Sequence, residues 1–260
     1  METSPAPWIR ALRHSHDRLR AAVEPLDPGQ LEQLSYASEW SIAQVLSHLG
    51  SQAEIFGLFV NAGLSGSEPP GQDAFVPIWE VWNAKTPQAQ ASDGLAADQA
   101  TLARFESMGA DEQARFRLSM FGMELDTAGV ARMRLGEHAI HTWDVLVALD
   151  PKETLAPDAV ALLIDGLDQL AARTAKPDGK QRKIRVTTTD PERQFILETG
   201  DAVTLVPADE TVPELGVSEL RLPAEAFIRL IYGRLDAGHT PADEHAGVEH
   251  DELRAIFPGF

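Results

Sequence analysis

Two segments of this 260-residue chain place ligand-type side chains where apolar ones belong: Trp40-Ser41-Ile42-Ala43-Gln44-Val45-Leu46-Ser47-His48 and Gly136-Glu137-His138-Ala139-Ile140-His141-Thr142-Trp143-Asp144. At helical spacing, Val45, Ile55 and Phe59 flank His48 on one side of the first segment's helix. On the second, Val130, Met133, Glu137, Ile140, His141, Asp144 and Ala148 share a face. Glu137 and His141 are i,i+4 neighbours, so both reach one point in space. His48, brought across from a facing helix, completes a His, Glu, His set, and three protein ligands with an open position is the pattern of a catalytic zinc or similar divalent ion. Asp144, one turn beyond His141, is placed to orient a ligand ring. Burying such groups unpaired is costly. Spacing alone leaves two solutions open, a cation between the helices or a polar core satisfied by hydrogen bonds.

The other histidines fit this picture less well. His138 points away from the stripe and is expected to face solvent, and His14 and His16 lie on the first helix without an evident partner. His239, His245 and His250, with Asp243 and Glu244 nearby, have the donors for a second metal site, but their loop context favours a solvated acidic stretch. There is no Gly-rich phosphate loop after a strand, no Gly-x-Ser-x-Gly elbow and no His-Glu-x-x-His.

The elements that must position these residues are legible in outline. Pro5 to Val23 reads as a helix, broken by Pro25-Leu26-Asp27-Pro28-Gly29. Ser41 with Gln44 is a capping-box pattern that opens a second helix, running to about Asn61. Thr86-Pro87 opens a third, running to about Met108 and weakened by Gly94. A fourth spans Thr127 to Leu149 and stops at Asp150-Pro151. Four long helices in about 150 residues predict an antiparallel bundle. Pro157 to Thr174 reads as one more helix. Lys183 to Thr189, Gln194 to Thr199 and Ala202 to Val206 read as strands of a meander, and Ser218 to Leu222 as a further strand leading through Pro223 into a helix. The fold class expected is therefore a four-helix bundle over residues 1–151, followed by a smaller C-terminal α+β domain over residues 152–260.

Composition narrows the chemistry. A formal net charge of −18 disfavours nucleic acid and anionic lipid as partners. With no cysteine, disulfides, thiolate-ligated zinc and a protein thiol nucleophile are excluded, so any thiol chemistry must use a thiol from outside the chain. Met1 to Arg20 lacks the apolar core of a signal peptide, and the apolar stretch around Ile55 to Val60 is too short to span a bilayer. A cytoplasmic protein acting on a small molecule is the expectation.

The two ligand segments, with Trp82-Asn83 ahead of the third long helix, resemble the metal-binding N-terminal domain of the mycothiol-dependent maleylpyruvate isomerase family, within the DinB-like superfamily, over roughly residues 5 to 150. Arg221-Leu222-Pro223-Ala224 leading into Ile231-Tyr232-Gly233-Arg234 is similar to the smaller C-terminal domain of the same enzymes. The resemblance implies a DinB-like bundle in which His48, Glu137 and His141 hold a divalent metal, zinc in the family. It implies mycothiol, a small actinobacterial thiol, as cosubstrate, and Arg234 as the partner of a substrate carboxylate. The implied reaction is addition of the activated thiol to an electrophile, ending in isomerisation or S-transfer. A metal-dependent hydrolase using metal-bound water and a non-catalytic metal- and ligand-binding bundle are the alternatives.

Overall fold

Capping residues set where the helices of the N-terminal part begin. Helix α1 (Ala6–Val23) follows Pro5 and buries Ile9, Leu12, His16, Leu19 and Val23 along one stripe. A short α2 (Pro28–Leu31) is opened by a capping box between Asp27 and Gln30. In α3 (Ile42–Ser65) the Gln44 amide donates to Ser41 Oγ at 3.2 Å, and the Ser41 amide donates to Gln44 Oε1 at 2.8 Å. The helix ends at Gly66, whose φ of 69° is the left-handed conformation that glycine adopts without a Cβ penalty. The apolar run before Lys85 is helical, α4 (Val76–Asn83). Helix α5 (Pro87–Glu106) is capped by Thr86, and a short α6 (Ala110–Arg115) follows it. A small hairpin, β1 (Leu118–Met120) with β2 (Met123–Leu125), leads to α7 (Thr127–Leu149), where Asp126 accepts from the Gly129 amide at 2.7 Å.

The structure, a computed structural model, describes residues 4–120, 122–208 and 217–259. It divides into two compact units, Met1–Thr154 and Leu155–Phe260. The first is a helical bundle in which α1 and α3 each pack against both α5 and α7. Its interior is filled by Leu19, Ile42, Val45, Leu46, Leu49, Ala91 and Val145. Gly94, which weakens the α5 pattern, has a packing reason: a Cβ there would lie 2.6 Å from the Leu46 carbonyl oxygen, so its absence lets α5 lie against α3. Gly50 plays the same part on α3, where the Trp82 ring occupies the space of its missing side chain. No helix among the described residues is long and apolar enough to cross a membrane.

The second unit is α+β. The helix expected over Pro157 to Thr174 is broken into α8 (Pro157–Leu163), a 3-10 turn (Ile164–Gly166) and α9 (Asp168–Thr174). Gly166 is the poor helix former at the break, and Asp165 beside it accepts Arg193 Nε at 2.6 Å. Strands β3 (Arg182–Thr189), β4 (Arg193–Thr199) and β5 (Thr204–Pro207) form the expected antiparallel meander. Strand β6 (Ser218–Pro223) instead pairs in parallel with β3, and β7 (Glu244–Ala246) pairs antiparallel with β6. The mixed sheet has the order β5-β4-β3-β6-β7. Alternate residues Ile184, Val186, Phe195, Leu197, Leu220 and Leu222 are buried, and α10 (Ala224–Ile231) packs on β3 and β6. A last helix, α11 (His250–Ile256), follows β7.

The role of Gly94 is testable. Ala is the better helix former by about 1 kcal/mol, yet overpacking against a backbone oxygen costs about 1–3 kcal/mol. Gly94→Ala should therefore lower stability in denaturant titration. Gly57→Ala, where a Cβ meets nothing within 4 Å, should be neutral or slightly stabilising.

Candidate metal centre

The capping box of α3 fixes the register that carries His48, and the Asp126 cap does the same for Glu137 and His141 on α7. The three side chains meet between these helices. His48 Nε2 lies 3.8 Å from Glu137 Oε2, His141 Nε2 lies 3.9 Å from the same oxygen, and the two imidazole centroids are 4.6 Å apart. These separations are too long for hydrogen bonds. They are near the spacing of about 3.4 Å between donors that each sit about 2.1 Å from a tetrahedral ion. His48 Nε2 is buried and has no hydrogen-bond partner. An orphaned ring nitrogen aimed at a carboxylate and a second imidazole fits a divalent cation.

The surroundings orient these donors. His141 Nδ1 donates to the fully buried Asp144 carboxylate at 2.9 Å, which leaves Nε2 as the lone-pair nitrogen on the cluster side. Gln52 Nε2 donates to Glu137 Oε2 at 2.8 Å. The half-buried Trp40 ring covers one side, its centroid 4.9 Å from His48 and 6.0 Å from His141. Burial works to raise the Glu137 carboxyl, but His48, His141 and Gln52 outweigh it and hold the group at about 2. For His48 burial dominates and lowers the imidazole, with Glu137 acting against it. At neutral pH the pair is thus carboxylate and neutral ring, the forms that ligate metals.

A second cluster lies deeper in the bundle, and it corrects the reading of two histidines. His138 is fully buried, not solvent-facing, because α7 is covered on nearly every side and leaving one stripe means entering another. His16, which has no evident partner in the sequence, donates through Nδ1 to Asp98 Oδ2 at 2.7 Å. His138 Nε2 donates to the same oxygen at 2.9 Å, while its Nδ1 accepts from Ser15 Oγ at 2.8 Å. Arg134 Nη2 donates to Asp98 Oδ1 at 2.7 Å and to the Leu49 carbonyl at 3.1 Å. Arg134 Nη1 reaches Gln52 Oε1 at 2.9 Å, which links this network to Glu137. His16, Asp98 and His138 have the donors for a metal ion, but those donors already face one another at hydrogen-bonding distance. Asp98 is the residue missed in the sequence; the signal was its place on the α5 stripe with Ala91, Gly94, Thr101 and Phe105.

Arg234 lies in the second unit, just after α10. It is buried, and its Nη1 donates to the Tyr232 carbonyl at 3.0 Å. Asp243, His245 and His250 form a third group of close donors, whereas His239 pairs separately with Asp236 at 2.8 Å.

The buried network yields two expected outcomes. Asp98→Asn removes the counter-charge of a guanidinium that is almost wholly buried, and should cost about 3–5 kcal/mol in denaturant unfolding. Burial is also the largest influence on His138 and lowers it, against Asp98. The unfolded chain then binds a proton that the folded chain refuses. Stability should be full above about pH 6.5 and fall as the pH drops below it. Melting curves from pH 7.5 to 5 should show this slope, and it should become shallower in His138→Gln, the part due to the similarly lowered His48 remaining.

Residues 12–146 match the family described as the mycothiol maleylpyruvate isomerase N-terminal domain. No curated protein sequence matches the chain. A crystal structure of the mycothiol-dependent maleylpyruvate isomerase matches over 95 % of each chain, with a TM-score of 0.68 at 12 % identity. A histidine-to-alanine mutant of that enzyme matches over 89 % of this chain and 90 % of the other, with a TM-score of 0.65 at 12 % identity. At that identity the likeness speaks for the fold, a bundle followed by an α+β region. The family match spans just over half of the chain, and the protein belongs to the mycothiol maleylpyruvate isomerase N-terminal domain family.

Proposed function

We propose that this protein is a metal-dependent enzyme that activates a small thiol, mycothiol, for addition to an electrophilic small molecule. The carrying observation is the unpartnered His48 Nε2, held with Glu137 and His141 at separations suited to a shared cation. His48, Glu137 and His141 would hold the ion, with zinc favoured by two imidazoles and one carboxylate. When bound, such an ion lowers the pKa of a thiol ligand and makes the nucleophilic form available at neutral pH.

The chain's own residues perform the rest. Asp144 fixes the tautomer of His141 through the 2.9 Å contact. Gln52 holds Glu137 in one orientation and passes its other amide atom to Arg134. Trp40 shields both imidazoles from water on one side. The absence of cysteine is consistent with a thiol supplied as cosubstrate, and leaves no competing thiol in the protein. Addition of the thiol to a conjugated double bond, rotation about the resulting single bond and departure of the same thiol give isomerisation. Retention of the new C–S bond gives S-transfer. Arg234 is part of this proposal as the partner of a substrate carboxylate, a role resting on the family resemblance.

The test is turnover of an unsaturated dicarboxylate such as maleylpyruvate by zinc-loaded protein, with and without mycothiol. Thiol-dependent turnover that disappears in His48→Ala supports the proposal. Turnover without thiol would favour the hydrolase reading instead. Asp144→Asn should weaken metal retention by about 10–100-fold, read by dialysis against a chelator. Arg234→Lys should raise KM with little change in kcat.

A further inference from the structure

The C-terminal unit carries a donor cluster that the proposed function does not use. Asp243 precedes β7, His245 lies within it and His250 opens α11. Gly247 turns the chain between the two histidines with a φ of 74°, in the left-handed region. Its carbonyl accepts from Ser218 Oγ at 2.7 Å, which anchors the turn to β6. The two imidazole rings meet edge-on with centroids 4.9 Å apart. Asp243 Oδ2 sits 2.7 Å from His250 Nε2 and 3.5 Å from His245 Nδ1.

Proximity alone would describe an ordinary ion pair. Burial makes the difference. The Asp243 side chain is only 10 % exposed, and both Asp243 Oδ2 and His250 Nε2 are shut off from solvent without a hydrogen bond of acceptable geometry. Groups of this kind in native proteins are nearly always satisfied, and an unseen ion is a recognised reason when they are not. The expected solvated stretch is therefore found over most of this segment, with Glu244, His245 and Glu249 exposed, but Asp243 and His250 are drawn inward, their side chains 10 % and 14 % exposed.

We propose that Asp243, His245 and His250 form a second divalent-metal site, separate from the cluster in the bundle. Two imidazoles and one carboxylate select a zinc-class ion over magnesium or calcium, which prefer oxygen donors. His245 is the exposed ligand, so solvent completes the coordination on that side. Glu244 and Glu249 flank the cluster, and the net charge of −18 raises the local concentration of cations. The site fastens the three-residue β7 at the sheet edge to the start of α11, a structural role that needs no substrate.

The experiment is zinc stoichiometry on the full-length chain, stripped with chelator and dialysed against zinc. About two equivalents are expected in wild type, one falling away in His250→Ala or His245→Ala and the other in His48→Ala. His245→Ala guards against a folding artefact, because that side chain is exposed. Loading with zinc should also raise the melting temperature of His48→Ala, but not of His48→Ala with His250→Ala. The proposal is overturned if zinc content is the same in wild type, His250→Ala and His245→Ala. It is equally overturned if the second equivalent survives both and vanishes in Asp98→Asn, which would place it in the bundle. Loss in His250→Ala with no loss in His48→Ala would leave this site standing and remove the ligand set of the proposed function.

Discussion

A single buried carboxylate ties the bundle together. Asp98 on α5 accepts from His16 on α1, and from His138 and Arg134 on α7. Arg134 in turn donates to the Leu49 carbonyl of α3. All four long helices therefore meet at one ion pair. A buried pair adds little net stability compared with apolar packing, yet breaking it strands an uncompensated charge. No helix can slide a turn past its neighbours without that cost, so the pair holds the register in which His48, Glu137 and His141 come together. Gln52 carries the constraint outward, joining Arg134 to Glu137.

Two histidine-carboxylate clusters thus lie close together in one bundle and differ in a simple way. In the deeper one, donor and acceptor atoms stand 2.7 and 2.9 Å apart and satisfy one another. In the shallower one they stand 3.8 and 3.9 Å apart, and His48 Nε2 has no partner. The first contacts have both the length and the geometry of hydrogen bonds, whereas the second are too long for hydrogen bonds and near the spacing of ligands around a cation. Burial of Asp98 acts to raise its carboxyl, but His138, Arg134 and His16 overcome it and hold the group well below the ordinary range. The deeper cluster is accordingly a fixed charge that positions, and the shallower one leaves a ring nitrogen without a hydrogen bond.

The legible parts of the sequence were those governed by local rules. Ser41 with Gln44, Thr86-Pro87 and the Asp150-Pro151 stop are decided by a few adjacent residues, and the long helices begin and end close to where these place them. Glu137 and His141 were visible because i,i+4 spacing needs no tertiary information. Asp98 was not, since an acidic residue in an Ala-rich helix looks solvated until the opposing Arg134 is known. His138 was misplaced for a related reason: periodicity separates one stripe from the rest but does not tell how many sides of a helix are covered. The parallel pairing of β6 with β3 and the break at Gly166 likewise depend on packing that a linear pattern does not contain.

The most direct test of the account is the position of a bound ion. Crystals of the zinc-loaded protein, with anomalous scattering measured at the zinc edge, should show a peak about 2.0–2.2 Å from His48 Nε2, His141 Nε2 and a Glu137 oxygen. A bundle peak among His16, Asp98 and His138 instead, or no peak between α3 and α7 at saturating zinc, would contradict it.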